Sequence, residues 1–177
     1  MPERDSGPAA AESGTARTAP SVMAFDVGAK RIGIAIGQSL TGDGRGLSVI
    51  ANQSHAHALA AIQPLISQWR PAALLVGRPL TLDGGEQPAS ERARGFARAL
   101  ARHFGLPVIE VDERSSSRIA AARFAEGRRA GLRRRSQGAD LDADAAAVLV
   151  ERYYDQPQAH EAVPITAATT AAAGTDR

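Results

Sequence analysis

The sequence predicts an α/β fold: a mixed five-stranded sheet that opens as an antiparallel hairpin and continues with parallel strands, flanked by helices. Two observations carry this. Val22 to Gly37 reads Val-Met-Ala-Phe-Asp-Val-Gly-Ala-Lys-Arg-Ile-Gly-Ile-Ala-Ile-Gly. It is an apolar run, a tight Gly28-Ala29-Lys30 turn, and a second run in which Ile32, Ile34 and Ile36 alternate with smaller residues, as period-2 burial in a hairpin requires. Further along, short all-apolar runs alternate with helical patterns, which is the mark of parallel strands joined by right-handed crossovers.

The elements follow in order. Residues 1–21 are Ala, Ser, Thr, Pro, Gly and scattered charge without periodicity, and are expected to form a disordered head. After the hairpin, Thr41 to Gly46 reads as a flexible turn and Leu47 to Asn52 as the third strand. His55 to Trp69 is helical in pattern, with Pro64 expected to break it or to open a new first turn. Ala72 to Gly77 is a short apolar run suited to a strand covered on both faces. A loop rich in Pro and Gly spans 78–87. Pro88 and Ser90 then open a long helix that ends at Gly105, with Ala93, Phe96, Ala97, Leu100 and Phe104 on its apolar stripe. Arg94, Arg98 and Arg102 line its other side and read as a solvated face.

Pro107 to Val111 is the fifth strand, and it delivers Asp112 and Glu113 at its carboxyl end. Ser115 to Ser117 can cap a helix running to about Glu126. A basic, glycine-bounded segment spans 127–138, and Asp140 to Tyr154 is the final helix, with Ala145, Ala146, Leu149, Val150 and Tyr153 apolar. Beyond Pro157 the chain is rich in Ala and Thr. Residues 157–177 are expected to be a disordered tail, which leaves 22–156 as one domain.

Composition narrows the function. The 177 residues carry a formal charge of +2, and the excess lies in the middle: residues 22–155 hold 18 Lys+Arg against 14 Asp+Glu. Every basic residue except Lys30 is arginine, the side chain that suits bidentate phosphate contacts. The absence of cysteine excludes disulfides, a thiolate nucleophile and a thiolate zinc site. No apolar run approaches the roughly 18 residues of a membrane span, and the head lacks the apolar core of a signal peptide. A soluble, cytoplasmic protein is expected, with nucleic acid and not membrane as its partner. Monomer and homodimer are both open.

Three acidic points carry the chemistry. Asp26 ends the first strand, Asp112 and Glu113 end the fifth, and Asp142 and Asp144 open the final helix. Strand carboxyl ends gather along one edge of such a sheet, where ligands bind. Clustered carboxylates repel one another unless a cation joins them, and an all-oxygen set suits Mg²⁺ or Mn²⁺. Two such ions about 3.5–4 Å apart can activate water and stabilise the leaving oxygen of a phosphodiester. Each acid also has a bland reading: Asp26 as a turn cap, and Asp142 as a first-turn residue favoured by the helix dipole.

Four ordered blocks bear a family resemblance. They are Phe25 to Ala35, Val76 to Glu86 followed by Glu91 to Ala97, Val111 to Arg114, and Leu141 to Leu149. Together they resemble the YqgF family across about residues 22–156. The resemblance implies a ribonuclease H-like fold and a metal-dependent nuclease. Members were first proposed as Holliday junction resolvases and are now regarded as nucleases that mature the 5′ end of 16S rRNA from its precursor. In that pattern the catalytic, metal-binding acids fall on Asp26, Glu113 and Asp142, with Asp144 the alternative to Asp142. One departure follows Arg114: the family usually has a leucine and then a Thr/Ser pair, whereas here Ser115 takes the leucine's place ahead of Ser116 and Ser117.

The remaining motif residues read as a phosphate-facing set. Gly28 removes a side chain where a phosphate or metal approaches backbone. Lys30, Arg31, Arg92 and Arg114 are candidate substrate contacts, although Arg92 can instead pair with Glu86 or Glu91. Of the five arginines at 128–135, Arg133, Arg134 and Arg135 are the strongest candidates for holding nucleic-acid backbone without reading sequence. Two rival readings stand beside the nuclease. An Asp-x-Gly hairpin also opens actin-like ATPases and sugar kinases, which need a second comparable domain. The other rival is a non-catalytic RNA-binding protein.

Overall fold

The computed structural model describes residues 20–81, 83–112, 138–155 and 160–164. Nine elements follow in order: β1 (Ser21–Val27), β2 (Arg31–Gln38), β3 (Gly44–Ala51), α1 (His55–Trp69), β4 (Ala73–Arg78), α2 (Pro88–Phe104), β5 (Val108–Asp112), α3 (Gly138–Asp155) and β6 (His160–Val163). The strands form one sheet in the order β3-β2-β1-β4-β5-β6. β1, β2 and β3 pair antiparallel, as do β5 and β6, whereas β4 runs parallel to both β1 and β5. All strands among the described residues thus join a single sheet. The two comparable domains of an actin-like or sugar-kinase ATP site are not found among them.

Period-2 alternation sends side chains to two faces. On one face Met23, Phe25, Ile32, Ile34, Leu74, Val76 and Val108 pack against Ala58 and Ile62 of α1 and Ala93, Phe96, Ala97 and Leu100 of α2. Phe25 and Phe96 meet edge to face there, with centroids 5.9 Å apart. On the other face Val22, Ala24, Ala35, Leu75 and Val111 pack against Ala146, Ala147, Leu149 and Val150 of α3. Asp26 is in step with Val22 and Ala24, so it belongs to the α3 face.

Three boundaries depart from the sequence reading. α1 runs unbroken through Pro64. Pro64 sits on the exposed side of the helix. Burial of Ala58 and Ile62, with Ser54 capping the His57 N–H at 3.1 Å, offsets the one lost backbone bond. β3 begins at Gly44, inside the stretch read as a turn. Gly44 and Gly46 are strand residues opposite Gly37 and Ala35, and they lack side chains because α3 crosses directly over them. A Cβ on Gly44 would collide with the Ala147 carbonyl, and one on Gly46 would stand 3.0 Å from the Ala143 Cβ.

The third departure is the strand count. The sheet has six strands, the last within the stretch expected to be a disordered tail. His160 to Val163 pairs with Val111 to Val108, because β5 would otherwise leave an unpaired backbone edge. The helix expected after Ser115 and the arginine segment 128–135 lie outside the described residues.

α2 conforms to expectation at both ends. Pro88 occupies its first turn, and Gly105 closes it in the left-handed region at φ 64. The buried Ser90 hydroxyl accepts from the Gln87 N–H at 2.9 Å and donates to the Pro79 carbonyl. That contact ties the helix to the loop leaving β4.

Candidate active site at the carboxyl edge of the sheet

Asp26 lies one residue before the end of β1 and faces Gly33 across the β1–β2 ladder. The turn after it is pinned from outside the hairpin. Asn52, just past β3, donates its side-chain amide to the Gly28 carbonyl at 2.7 Å and its backbone N–H to the Lys30 carbonyl at 2.9 Å. Gly28 is glycine for a local reason, since a Cβ there would stand 2.9 Å from the Arg31 carbonyl oxygen.

α3 brings the second acid. It runs along β2, where a Cβ on Gly33 would strike the Asp142 carbonyl and one on Gly37 would strike the Val150 side chain. With those side chains missing, the helix axis drops close to the sheet. Asp142 then arrives beside the β1–β2 turn. Asp26, Gly28, Ala29, Lys30, Arg31 and Asp142 line one open pocket of about 160 Å³. Asp144 is not among its lining residues.

Within this pocket the Arg31 Nε lies 2.8 Å from the Asp142 Oδ2. The contact is an ion pair without the alignment of a hydrogen bond: among the described residues that oxygen is shut from solvent and receives no hydrogen bond. A buried carboxylate oxygen with a lone pair unmet, beside a second carboxylate, is a donor set that fits a hard divalent cation. Among the described residues no group of three His, Cys, Asp or Glu gathers.

The structure thus brings together five of the residues singled out in the sequence: Asp26, Gly28, Lys30, Arg31 and Asp142. Arg92 is half-buried on α2 and does not line the pocket. Glu86 pairs instead with Arg94, and its carboxylate also lies 3.7 Å from Arg78. Glu113, Arg114, Arg133, Arg134 and Arg135 lie outside the described residues, although β5 does end at Asp112.

Two groups escaped the sequence reading. Arg152 of α3 donates to the Asp112 carbonyl at 2.6 Å, fastening the end of β5 to the helix that carries Asp142. Glu110 is a buried acid, 5% exposed, on the opposite face of the sheet. Its carboxylate lies 3.7 Å from Arg78 and 3.9 Å from Arg94. Burial pushes its pKa up, and the two arginines pull it back only in part. Glu86 is held low by the hydrogen bond from Arg94. Each partner comes from a different element, so no spacing in the chain announces the cluster.

Known proteins share this architecture. Two structures of Thermus thermophilus RuvC, one of them in complex with a Holliday junction substrate, superpose with TM-scores of 0.52 and 0.51. They are 17% and 18% identical, and the match covers 81% of this chain and 99% of each of theirs. The fold is therefore a ribonuclease H-like α/β fold. A family model described as RuvX: Holliday junction resolvase matches residues 20–156. The chain belongs to the RuvX family. Its relatives include proteins of Xanthomonas campestris pv. campestris strain 8004 and Xanthomonas axonopodis pv. citri strain 306, each named "Putative pre-16S rRNA nuclease". Each is 45% identical over 153 residues, covering 86% of this chain and 99% of the relative.

Proposed function

We propose that this protein is a metal-dependent nuclease that hydrolyses phosphodiesters in the 5′-end maturation of precursor 16S rRNA. The observation that carries the proposal is the pocket holding Asp26 and Asp142, in a chain that matches proteins named "Putative pre-16S rRNA nuclease" over almost their whole length. Asp26, Asp142 and Glu113 are the residues that would hold Mg²⁺ or Mn²⁺. Glu113 follows directly on Asp112, which the Arg152 contact fixes in place. Divalent cations bound there would supply an activated water and charge neutralisation at the leaving oxygen.

The chain's own residues orient the substrate. Gly28 keeps the turn low and Lys30 presents a cation at the pocket wall. Arg114, Arg133, Arg134 and Arg135 add backbone contacts, and Arg92 is the outlying candidate. None of these reads sequence; they hold phosphate. The division of labour is acids for chemistry and arginines for grip.

A second substrate is branched DNA, favoured by the family description and by the fold of a protein solved on a Holliday junction. Precursor RNA and a four-way junction present the same phosphodiester to the same site. The test offers both to the purified protein with Mg²⁺ or Mn²⁺, using a fragment spanning the precursor 16S 5′ end and a synthetic four-way junction. Metal-dependent cleavage of the RNA and its loss in Asp26→Asn is the expected result. Binding of both without cleavage in any metal would overturn the nuclease.

A further inference from the structure

Arg31 stands where a cation would. It is the first residue of β2, directly after the turn whose Gly28 and Lys30 carbonyls accept hydrogen bonds from Asn52. Its side chain is half exposed, yet its Nε covers the Asp142 Oδ2 at 2.8 Å and supplies no aligned hydrogen bond. An ion pair of this kind, with a half-exposed guanidinium and without directional bonding, is weak. A divalent cation brings twice the charge to the same oxygen and carries it in an oxygen-ligand shell.

We propose that Arg31 is a positioning residue that competes with the divalent cation for Asp142, and that cation binding releases its guanidinium toward the substrate phosphate. This rests on the nuclease reading of the pocket. It makes cation and nucleic acid mutually reinforcing ligands: the cation frees Arg31 for phosphate, and phosphate draws Arg31 away from the carboxylate. Such coupling is reciprocal by necessity. Lys30 lines the same pocket with the same charge but forms no ion pair among the described residues, so it reports the general field of the turn without the competition.

The test is Mn²⁺ binding by calorimetry on the full chain, for the parent, Arg31→Gln, Arg31→Lys and Lys30→Gln. Each protein is first checked for its fold by thermal melting in chelator. Removing a half-exposed pair should tighten Mn²⁺ in Arg31→Gln by roughly two- to fivefold, with Lys30→Gln changing less and Arg31→Lys falling between parent and Arg31→Gln. Mn²⁺ should also strengthen binding of a short RNA in the parent and do so less in Arg31→Gln. Unchanged or weaker Mn²⁺ affinity in Arg31→Gln would overturn the competition, as would an equal gain in Lys30→Gln. Should Arg31→Gln not fold, Arg31→Lys binding Mn²⁺ no more tightly than the parent overturns it equally. Failure of the parent and every variant to bind Mn²⁺ would instead remove the metal site itself, and this inference with it.

Discussion

Gly33 lies directly beneath the backbone of Asp142: a Cβ on Gly33 would collide with the Asp142 carbonyl oxygen. The same glycine is the ladder partner of Asp26. This residue without a side chain thus helps set how closely the two acids of the pocket approach, as one of the glycines that let α3 descend onto the sheet.

Gly33→Ala should therefore cost stability and function together. The colliding atom is backbone, so no rotamer change relieves it, and overpacking of this kind costs about 1–3 kcal/mol or more. A lowered melting temperature with loss of Mn²⁺ binding is the expected pair of results. An alanine variant that melts and binds like the parent would show that α3 is not seated by this contact.

Asp26→Asn should abolish cleavage in a folded protein. Mg²⁺ or Mn²⁺ should raise the melting temperature of the parent, because a ligand of the native state alone stabilises it, by about 2.7 kcal/mol at a hundredfold excess over Kd. The rise should shrink in the variant. A purely structural Asp26 gives the opposite pattern of lost stability without metal dependence. A folded Asp26→Asn protein that cleaves at the parent's rate removes the chemistry from this pocket.

Glu110 sets a pH signature on the other face. Its folded-state pKa is raised above the ordinary 4.5. Its contribution to stability is therefore fully present below that value, and is lost as pH rises through the raised folded value. Relative to Glu110→Gln, the parent should lose stability as pH climbs from about 4.5, then level off. Arg78 keeps Glu161 and Glu86 as partners, and Arg94 keeps Glu86, so the glutamine strands no buried arginine. Urea melts across pH 4–8 read the difference. A glutamine variant losing about 3–5 kcal/mol at neutral pH would show instead that the ionised pair is a net stabiliser.

The arginines at 133–135 are predicted to give grip without chemistry. Changing Arg133, Arg134 and Arg135 together to Ala should weaken RNA binding and flatten its salt dependence, by roughly one unit of slope for each phosphate no longer held. Metal affinity should not move. A salt slope equal to the parent's would take these residues out of the interface.

Much of this protein is legible in the chain before it folds. The β1–β2 hairpin, the span of α2 from Pro88 to Gly105, and the acids at strand and helix ends are written in local signals: period-2 alternation, a first-turn proline, a left-handed glycine cap. These act between residues a few positions apart, so the chain alone determines them. Where such a signal was weak it misled. Gly44 and Gly46 look like a turn, and only the crossing of α3 shows them to be strand. His160 to Val163 carries no strong strand pattern, and becomes one because β5 offers its edge. Pairings across elements belonged to tertiary structure alone. The meeting of Asp26 with Asp142, the hold of Arg31 on that carboxylate, and the burial of Glu110 between Arg78 and Arg94 each depend on how far a helix sinks onto a sheet. That distance is decided by side-chain volume at several remote positions at once, and no single stretch of sequence contains it.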